Sequence, residues 1–236
     1  MTERHFYEPR NGHGLPHCPL NAIVAPRPIG WVTTISGDGC VNLAPYSHFN
    51  IFNDEPPILV FGSGREKDSV RNIRQTGEFV WNLATLPLAQ QMNISSADFP
   101  YGTDEMAVTG LQAERSHLVR PPRVAASPAA FECKLIELTR MKDAAGRELP
   151  SFIVFGEVVG IHIDRAYLRN GLFDTAAAQP LARCGYRGEY AAVTSLFQMF
   201  RPASAAEAVA LANDARGAVD GGSPLATGGG RALATS

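Results

Sequence analysis

Residues 27–69 read RPIGWVTTISGDGCVNLAPYSHFNIFNDEPPILVFGSGREKDS, and the way apolar runs alternate with polar turns in this stretch decides the fold. Ile29–Ile35 is rich in β-branched and aromatic residues, which suit a pleated, half-buried surface. Ser36-Gly37-Asp38-Gly39 is a tight polar turn, with two glycines free to take positive φ. Cys40–Ala44 returns as a second strand, and Pro57–Phe61 is a third, ended by Gly62-Ser63-Gly64. Asp68–Gln75 then begins a helix, with Gly77 as its C-terminal glycine. The polar residues held between these elements exceed what turns need. They are Thr33, Thr34, Asn42, the segment Tyr46-Ser47-His48-Phe49-Asn50, and the group Arg65, Lys67, Asp68 and Ser69.

Upstream, Asn21–Ala25 is expected as a short strand, preceded by an N-terminal arm over residues 1–20. That arm carries His13, His17 and Cys18, but Gly and Pro on all sides make it a loop, and no second cluster supplies the four ligands of a structural zinc site. No metal is expected. Downstream, Glu78–Leu83 is expected as a strand and Pro87–Ser95 as a helix. Residues 96–127 lack long periodic runs and read as a loop excursion with a short helix near Asp104–Thr109; a loop this long is typically functional or lid-like. Ala130–Met141 and Leu149–Ile163 are expected as long strands, with Gly156 and Gly160 marking bulges where a sheet bends. His162 ends this second run as a satisfied strand histidine. A last strand is expected over Ala191–Phe200. The composition then changes to Ala, Gly, Ser and Thr, so residues 203–236 are expected as a tail with one helix, Ala205–Arg216, and an otherwise flexible end. Many strands, few helices and Gly/Pro turns predict a mainly β chain, a barrel with peripheral helices over residues 21–202.

A net charge of -2 gives no reason to expect nucleic acid or an anionic membrane as partner. The longest apolar runs are too short to span a bilayer, and the polar start MTERHFYEPRNGHG has no signal-peptide core, so a cytoplasmic location is expected. Cys18, Cys40, Cys133 and Cys184 lie far apart without a C-x-x-C pair and read as reduced thiols in the core. Gly62–Lys67 is G-x-G-x-x-K, not the dinucleotide fingerprint, and no Walker motif, G-x-S-x-G or H-E-x-x-H occurs.

Arg65, Lys67 and Ser69 beside a helix N-terminus form an anion cradle by residue type, although cations beside a helix also serve as a solvated face. Thr33 and Thr34 fit either polar contact or plain β-propensity. A resemblance resolves the choice. R-P-I-G-W-V-T-T-I-S-x-x-G-x-x-N-L-A-P-Y-S-x-F-N, then D-E-P-P, R-E-K-D-S-x-x-N-I and G-E-F-V-x-N resemble the flavin reductase-like family of FMN-binding split β-barrels. Ser127-Pro128 with Phe131-Glu132-Cys133, Leu181-Ala182-Arg183 and Phe200-Arg201-Pro202 agree, so the likeness runs over residues 20–202. It implies a Greek-key-like antiparallel split barrel, a homodimer, and FMN near the subunit interface.

By position, the resemblance implies that Thr33, Thr34, Asn42, Ser47, Arg65, Lys67 and Ser69 touch the ribityl-phosphate. It implies that Tyr46, Ser47, His48 and Phe49 line the ring, with Ser63 and Asp68 completing the cofactor-binding set. His48 and Tyr190 are the candidate substrate-binding residues. His48 replaces a frequent aromatic residue, Ser69 replaces a frequent Thr while keeping the hydroxyl, and Cys184-Gly185-Tyr186 replaces a more glycine-rich turn. The expected activity is NAD(P)H:flavin oxidoreductase, with NADH or NADPH as hydride donor and a monooxygenase as a candidate recipient of reduced flavin. Two alternatives stand beside it: an FMN-dependent enzyme acting directly on a small organic substrate, and a non-enzymatic flavin- or haem-binding protein. Hydride transfer needs no side-chain acid or base, so no catalytic residue is named.

Overall fold

The computed structural model describes residues 3–220. The chain divides into two units, Met1–Leu196 and Phe197–Ser236. In chain order, the first unit comprises α1 (Leu20–Ile23), β1 (Arg27–Pro28), β2 (Gly30–Ile35), β3 (Val41–Tyr46), β4 (Phe49–Asp54), β5 (Pro57–Ser63), α2 (Asp68–Thr76), β6 (Glu78–Asn82), α3 (Ala89–Ile94) and α4 (Glu105–Val108). There follow β7 (Ala113–Glu114), β8 (Arg123–Val124), β9 (Ala129–Lys142), β10 (Glu148–Ile163), β11 (Leu168–Arg169), β12 (Leu172–Phe173), α5 (Thr175–Ala178), β13 (Leu181–Arg183) and β14 (Tyr190–Ala192). The second unit carries α6 (Ala205–Asp220), which contains the helix expected there. The flexible end expected beyond it, residues 221–236, lies outside the described residues.

Seven strands form one antiparallel sheet in the order β3-β2-β6-β9-β10-β5-β4. The two edge strands, β3 and β4, are joined only by Ser47 and His48. A flat sheet of that width would hold its edges roughly 29 Å apart, at about 4.8 Å per strand, whereas two residues reach about 7 Å. The sheet must therefore curl until its edges meet, which is the split barrel. Register shifts in the β9–β10 ladder between Phe155 and Gly156, and between Val158 and Gly160, supply the bend at the two glycines picked out in the sequence. A Cβ at Gly156 would stand 2.2 Å from the Phe79 ring, so only glycine lets that ring lie against the strand.

Alternation along β2 assigns its two faces. Val32 points inward with Phe61, Phe79, Trp81, Cys133, Val154 and Ile73 of α2. Trp31 points outward with Leu43, Leu88, Met92 and Met106, under α3 and α4. The apolar area removed from water on both faces is what holds a curled sheet shut, at roughly 25 cal/mol per Å². Gly77 ends α2 in the left-handed region at φ 71°, as expected.

Four expectations fail locally. Asn21–Ala25 is not a strand: Leu20–Ile23 makes one helical turn, in which the N–H groups of Ala22 and Ile23 bond the Pro19 carbonyl. The Arg27 guanidinium holds that turn by donating to the carbonyls of Asn21, Val24 and Cys184, the last at 2.9 Å. Phe49–Asp54, for which no strand was expected, is a paired edge strand. The last strand is confined to Tyr190–Ala192, because only these residues find a partner in β13. Of the four free cysteines only Cys133 is buried, so the others are not core residues.

Candidate functional site

The site lies where the barrel's edges meet. On one side of Tyr46 is a polar cavity of about 240 Å³, with Asn42, Tyr46, Arg65, Lys67, Ser69 and Asp98 in its wall. On the other is a larger apolar groove of about 670 Å³, lined by Ser47, His48, Phe49, Ser63, Phe52 and Pro28 among others.

The polar cavity faces the start of α2. Lys67 precedes the first turn in an extended conformation (φ −98°, ψ 177°), and no side chain caps the helix. Asp68 is the first residue of the helix and not its cap. A nine-residue helix thus presents its N-terminal N–H groups to the cavity with the positive end of its dipole. Ser69 is buried, and its Oγ accepts from Asn42 Nδ2 at 2.9 Å. That bond occupies an oxygen lone pair and leaves the hydroxyl proton to donate elsewhere. The Tyr46 hydroxyl stands beside Ser69 and Ser63 without a hydrogen bond of good geometry to either. Burial pushes its pKa up to about 12, against the nearby serine hydroxyls, so it remains a proton donor. A buried, unpartnered hydroxyl costs about 1–3 kcal/mol unless a ligand answers it.

Two cations complete the cavity. Arg65 Nη2 lies 2.9 Å and Lys67 Nζ 3.4 Å from the same oxygen, Asp98 Oδ1. The Arg65 hydrogen bond, then Lys67, hold the Asp98 carboxyl below its usual range. Glu105 is also in the wall, with its Oε2 accepting from the Leu43 N–H at 2.9 Å. Burial raises its carboxyl above the usual range despite that bond, and Asp68 and Asp104 add to the rise.

The structure therefore gathers Asn42, Tyr46, Arg65, Lys67, Asp68 and Ser69 around one cavity, and Ser47, His48, Phe49 and Ser63 along the adjoining groove. It does not bring Thr33, Thr34 or Tyr190 to either. Thr33 and Thr34 are fully buried. Thr33 Oγ1 accepts from Asn82 at 2.8 Å, and Thr34 Oγ1 accepts from Asn42 at 3.2 Å and from Asn72 at 3.0 Å. Both hydroxyls thus accept from asparagine side chains within the protein. Tyr190 lies under the Arg183 guanidinium, 4.6 Å from its ring centre, on the small sheet β1-β13-β14. Asp98 and Glu105 are among the wall residues that sequence reading missed. Both come from the long excursion after residue 96, whose length was their only signal.

A second polar cluster lies elsewhere. Glu132 on β9 is fully buried and accepts from the backbone N–H groups of His117 (2.7 Å), Leu118 (2.5 Å) and Val119 (3.0 Å) and from His162 Nε2 (2.5 Å). Burial alone would raise its carboxyl; these donors outweigh it and hold the pKa down to about 2. His162 is thus satisfied, as expected from its place at a strand end. Among the described residues no helix is long and apolar enough to cross a membrane, and no three His, Cys, Asp or Glu side chains gather as metal ligands.

Comparison with known proteins agrees with this architecture. The family model described as "Flavin reductase like domain" matches residues 24–182. A protein of Aquifex aeolicus is 37% identical over 174 residues, spanning 71% of this chain and 84% of the relative. The crystal structure of nitrilotriacetate monooxygenase component B from Bacillus cereus superposes with a TM-score of 0.72 at 26% identity, covering 76% of this chain and 90% of that one. The Pseudomonas fluorescens 2-nitrobenzoate 2-nitroreductase gives 0.68 at 28% identity, covering 78% and 89%. The chain belongs to the flavin reductase-like family, flavin-associated oxidoreductases built on the FMN-binding split barrel.

Proposed function

We propose that this chain binds FMN across the barrel seam and works as an NAD(P)H:flavin oxidoreductase. The observation that carries the reading is the uncapped start of α2, where Ser69, the unpartnered Tyr46 hydroxyl, Arg65 and Lys67 converge on one cavity that adjoins an apolar groove. Those donors fit a phosphate: helix N–H groups, one hydroxyl proton, one phenol and two cations. Asn42 positions Ser69 for that contact. The groove along Ser47, His48 and Phe49 fits a flat ring, with Phe49 held by stacking on Trp81 at 5.6 Å and 10°. When bound, the flavin supplies the two-electron chemistry. The protein's share is to hold the phosphate, keep the ring against the groove and leave one face open to a nicotinamide. His48 is exposed at that groove and is the candidate for contact with the hydride donor.

A homodimer fits the same surface. β4 is an edge strand with Ile51 49% and Phe52 68% exposed, beside the groove that Phe52 also lines. An apolar, unpaired edge next to a ligand groove is a surface that a second copy would cover. A monooxygenase that takes up reduced flavin is the partner proposed for the product. The likeness to a nitroreductase favours a second reading, in which FMN stays bound and reduces a small organic substrate in the groove.

The test is a visible spectrum of the purified protein with added FMN, then with NADH and with NADPH. The expected result is a perturbed flavin band and steady oxidation of one nucleotide with free FMN as acceptor. A protein that neither perturbs FMN nor oxidises either nucleotide would sink both readings. FMN that survives gel filtration, with negligible turnover of free flavin, would favour the second.

A further inference from the structure

The two cations of the cradle are not free. Both reach a single carboxylate oxygen, Asp98 Oδ1, at 2.9 and 3.4 Å. Asp98 sits on the loop after α3, which also lends Ser96, Ala97 and Phe99 to the cavity wall. The other acids near the cavity are engaged differently. Glu66 pairs with Arg74, and Glu105 accepts from the Leu43 N–H. Asp68 is the first residue of α2, where a negative charge is answered by the helix N-terminus. Asp98 alone among these acids spends its charge on the cradle's own cations.

An anion entering the cradle must either share Arg65 and Lys67 with Asp98 or displace it. Each course costs. Sharing places a carboxylate against a phosphate dianion, and displacement breaks two ion pairs that the loop has already formed. The carboxylate of Asp98 is 69% exposed, so it can swing into solvent without unfolding anything around it.

We propose that Asp98 is an affinity-setting residue that weakens the hold on the phosphate and thereby keeps FMN exchangeable, so that the flavin serves as a diffusible substrate. This rests on the reading of the cradle as a phosphate site. It selects the free-flavin reductase over the enzyme with a fixed prosthetic group. It also makes the loop 96–99 part of the binding machinery, although no motif marks it.

The test is Asp98→Asn, which keeps the shape and one acceptor oxygen while removing the charge. Dissociation constants of FMN and riboflavin would be measured for wild type and variant by flavin fluorescence at low and at moderate salt. The expected result is FMN tightened about 5- to 10-fold in the variant at low salt, the gap narrowing as salt screens it, and riboflavin unchanged within about twofold. The FMN off-rate should fall in proportion. Unchanged FMN affinity would overturn the proposal. So would weakened FMN affinity, which would mean that Asp98 positions the two cations for the phosphate. Equal tightening of both flavins would also overturn it, since the effect would not act through the phosphate. If wild-type protein binds neither flavin, the cradle reading itself falls and takes this inference with it; if it binds FMN but the variant does not discriminate, only the inference falls.

Discussion

Asp98 and Glu132 are both carboxylates held by several donors, yet they belong to opposite kinds of place. Glu132 is fully buried, with three backbone N–H groups and one imidazole directed at two oxygens. Asp98 is exposed, and one oxygen serves two flexible cations. Around Glu132 each named donor has its acceptor, and the cluster pins the loop 117–119 to β9. Around the start of α2 the accounting does not close: a buried phenol has no partner and a helix has no cap. The contrast teaches that polar density does not mark a binding site. A polar cluster becomes a candidate site when its buried donors outnumber its acceptors.

The sharpest way to break the comparison is to remove Glu132. Glu132→Ala should cost about 3–5 kcal/mol, because it strands the buried Val119 N–H, the part-buried N–H groups of His117 and Leu118, and the His162 imidazole. Urea midpoints would measure this, and a loss below about 1 kcal/mol would make the cluster ornamental. Acid should reveal the same carboxylate next. Its folded pKa, about 2, lies below the unfolded value, so its contribution is complete above about pH 4.5 and disappears as pH falls towards 2. The linked stability is up to roughly 3 kcal/mol. Glu132→Gln should flatten that limb of the stability profile.

On the other side of the comparison, the double change Arg65→Ala with Lys67→Ala should weaken FMN about 100-fold and riboflavin by less than about threefold. Equal losses for both flavins would remove the phosphate from this corner. Tyr46→Phe is the smallest and the most telling change. Without ligand it should stabilise the protein by about 1 kcal/mol, since it deletes an unanswered buried hydroxyl. FMN should bind about fivefold more weakly for the lost donor. A destabilised variant would mean that the phenol is satisfied within the protein.

Where period and turn chemistry act locally, the sequence was readable. β2, β3, β5, α2 with its glycine end, and the bend glycines of β10 all follow from residues within a few positions of one another. That Arg65, Lys67 and Ser69 lie together was readable too, because they sit at the start of one helix. The burial of Thr33 and Thr34 was not readable, because it depends on what crosses above the strand, and the asparagines that bind them, Asn82, Asn42 and Asn72, come from three other segments. Asp98 was illegible for a similar reason: its partners lie 33 and 31 residues earlier, in a stretch with no period to read. Leu20–Ile23 departed from its apolar appearance because the distant Arg27–Cys184 contact decides how that segment turns.

The seam of the barrel has a further consequence. Every other boundary in the sheet is a ladder of backbone bonds, but β3 and β4 are edges that meet through Ser47 and His48 alone. A molecule lying across that seam would touch the cavity on the β3 side and the groove on the β4 side together. It would act as a clasp, making the two edges answer to one opening event instead of two. Amide exchange along Val41–Tyr46 and Phe49–Asp54 should then slow together when flavin binds, while the β9–β10 ladder, already closed by its own bonds, stays as it was.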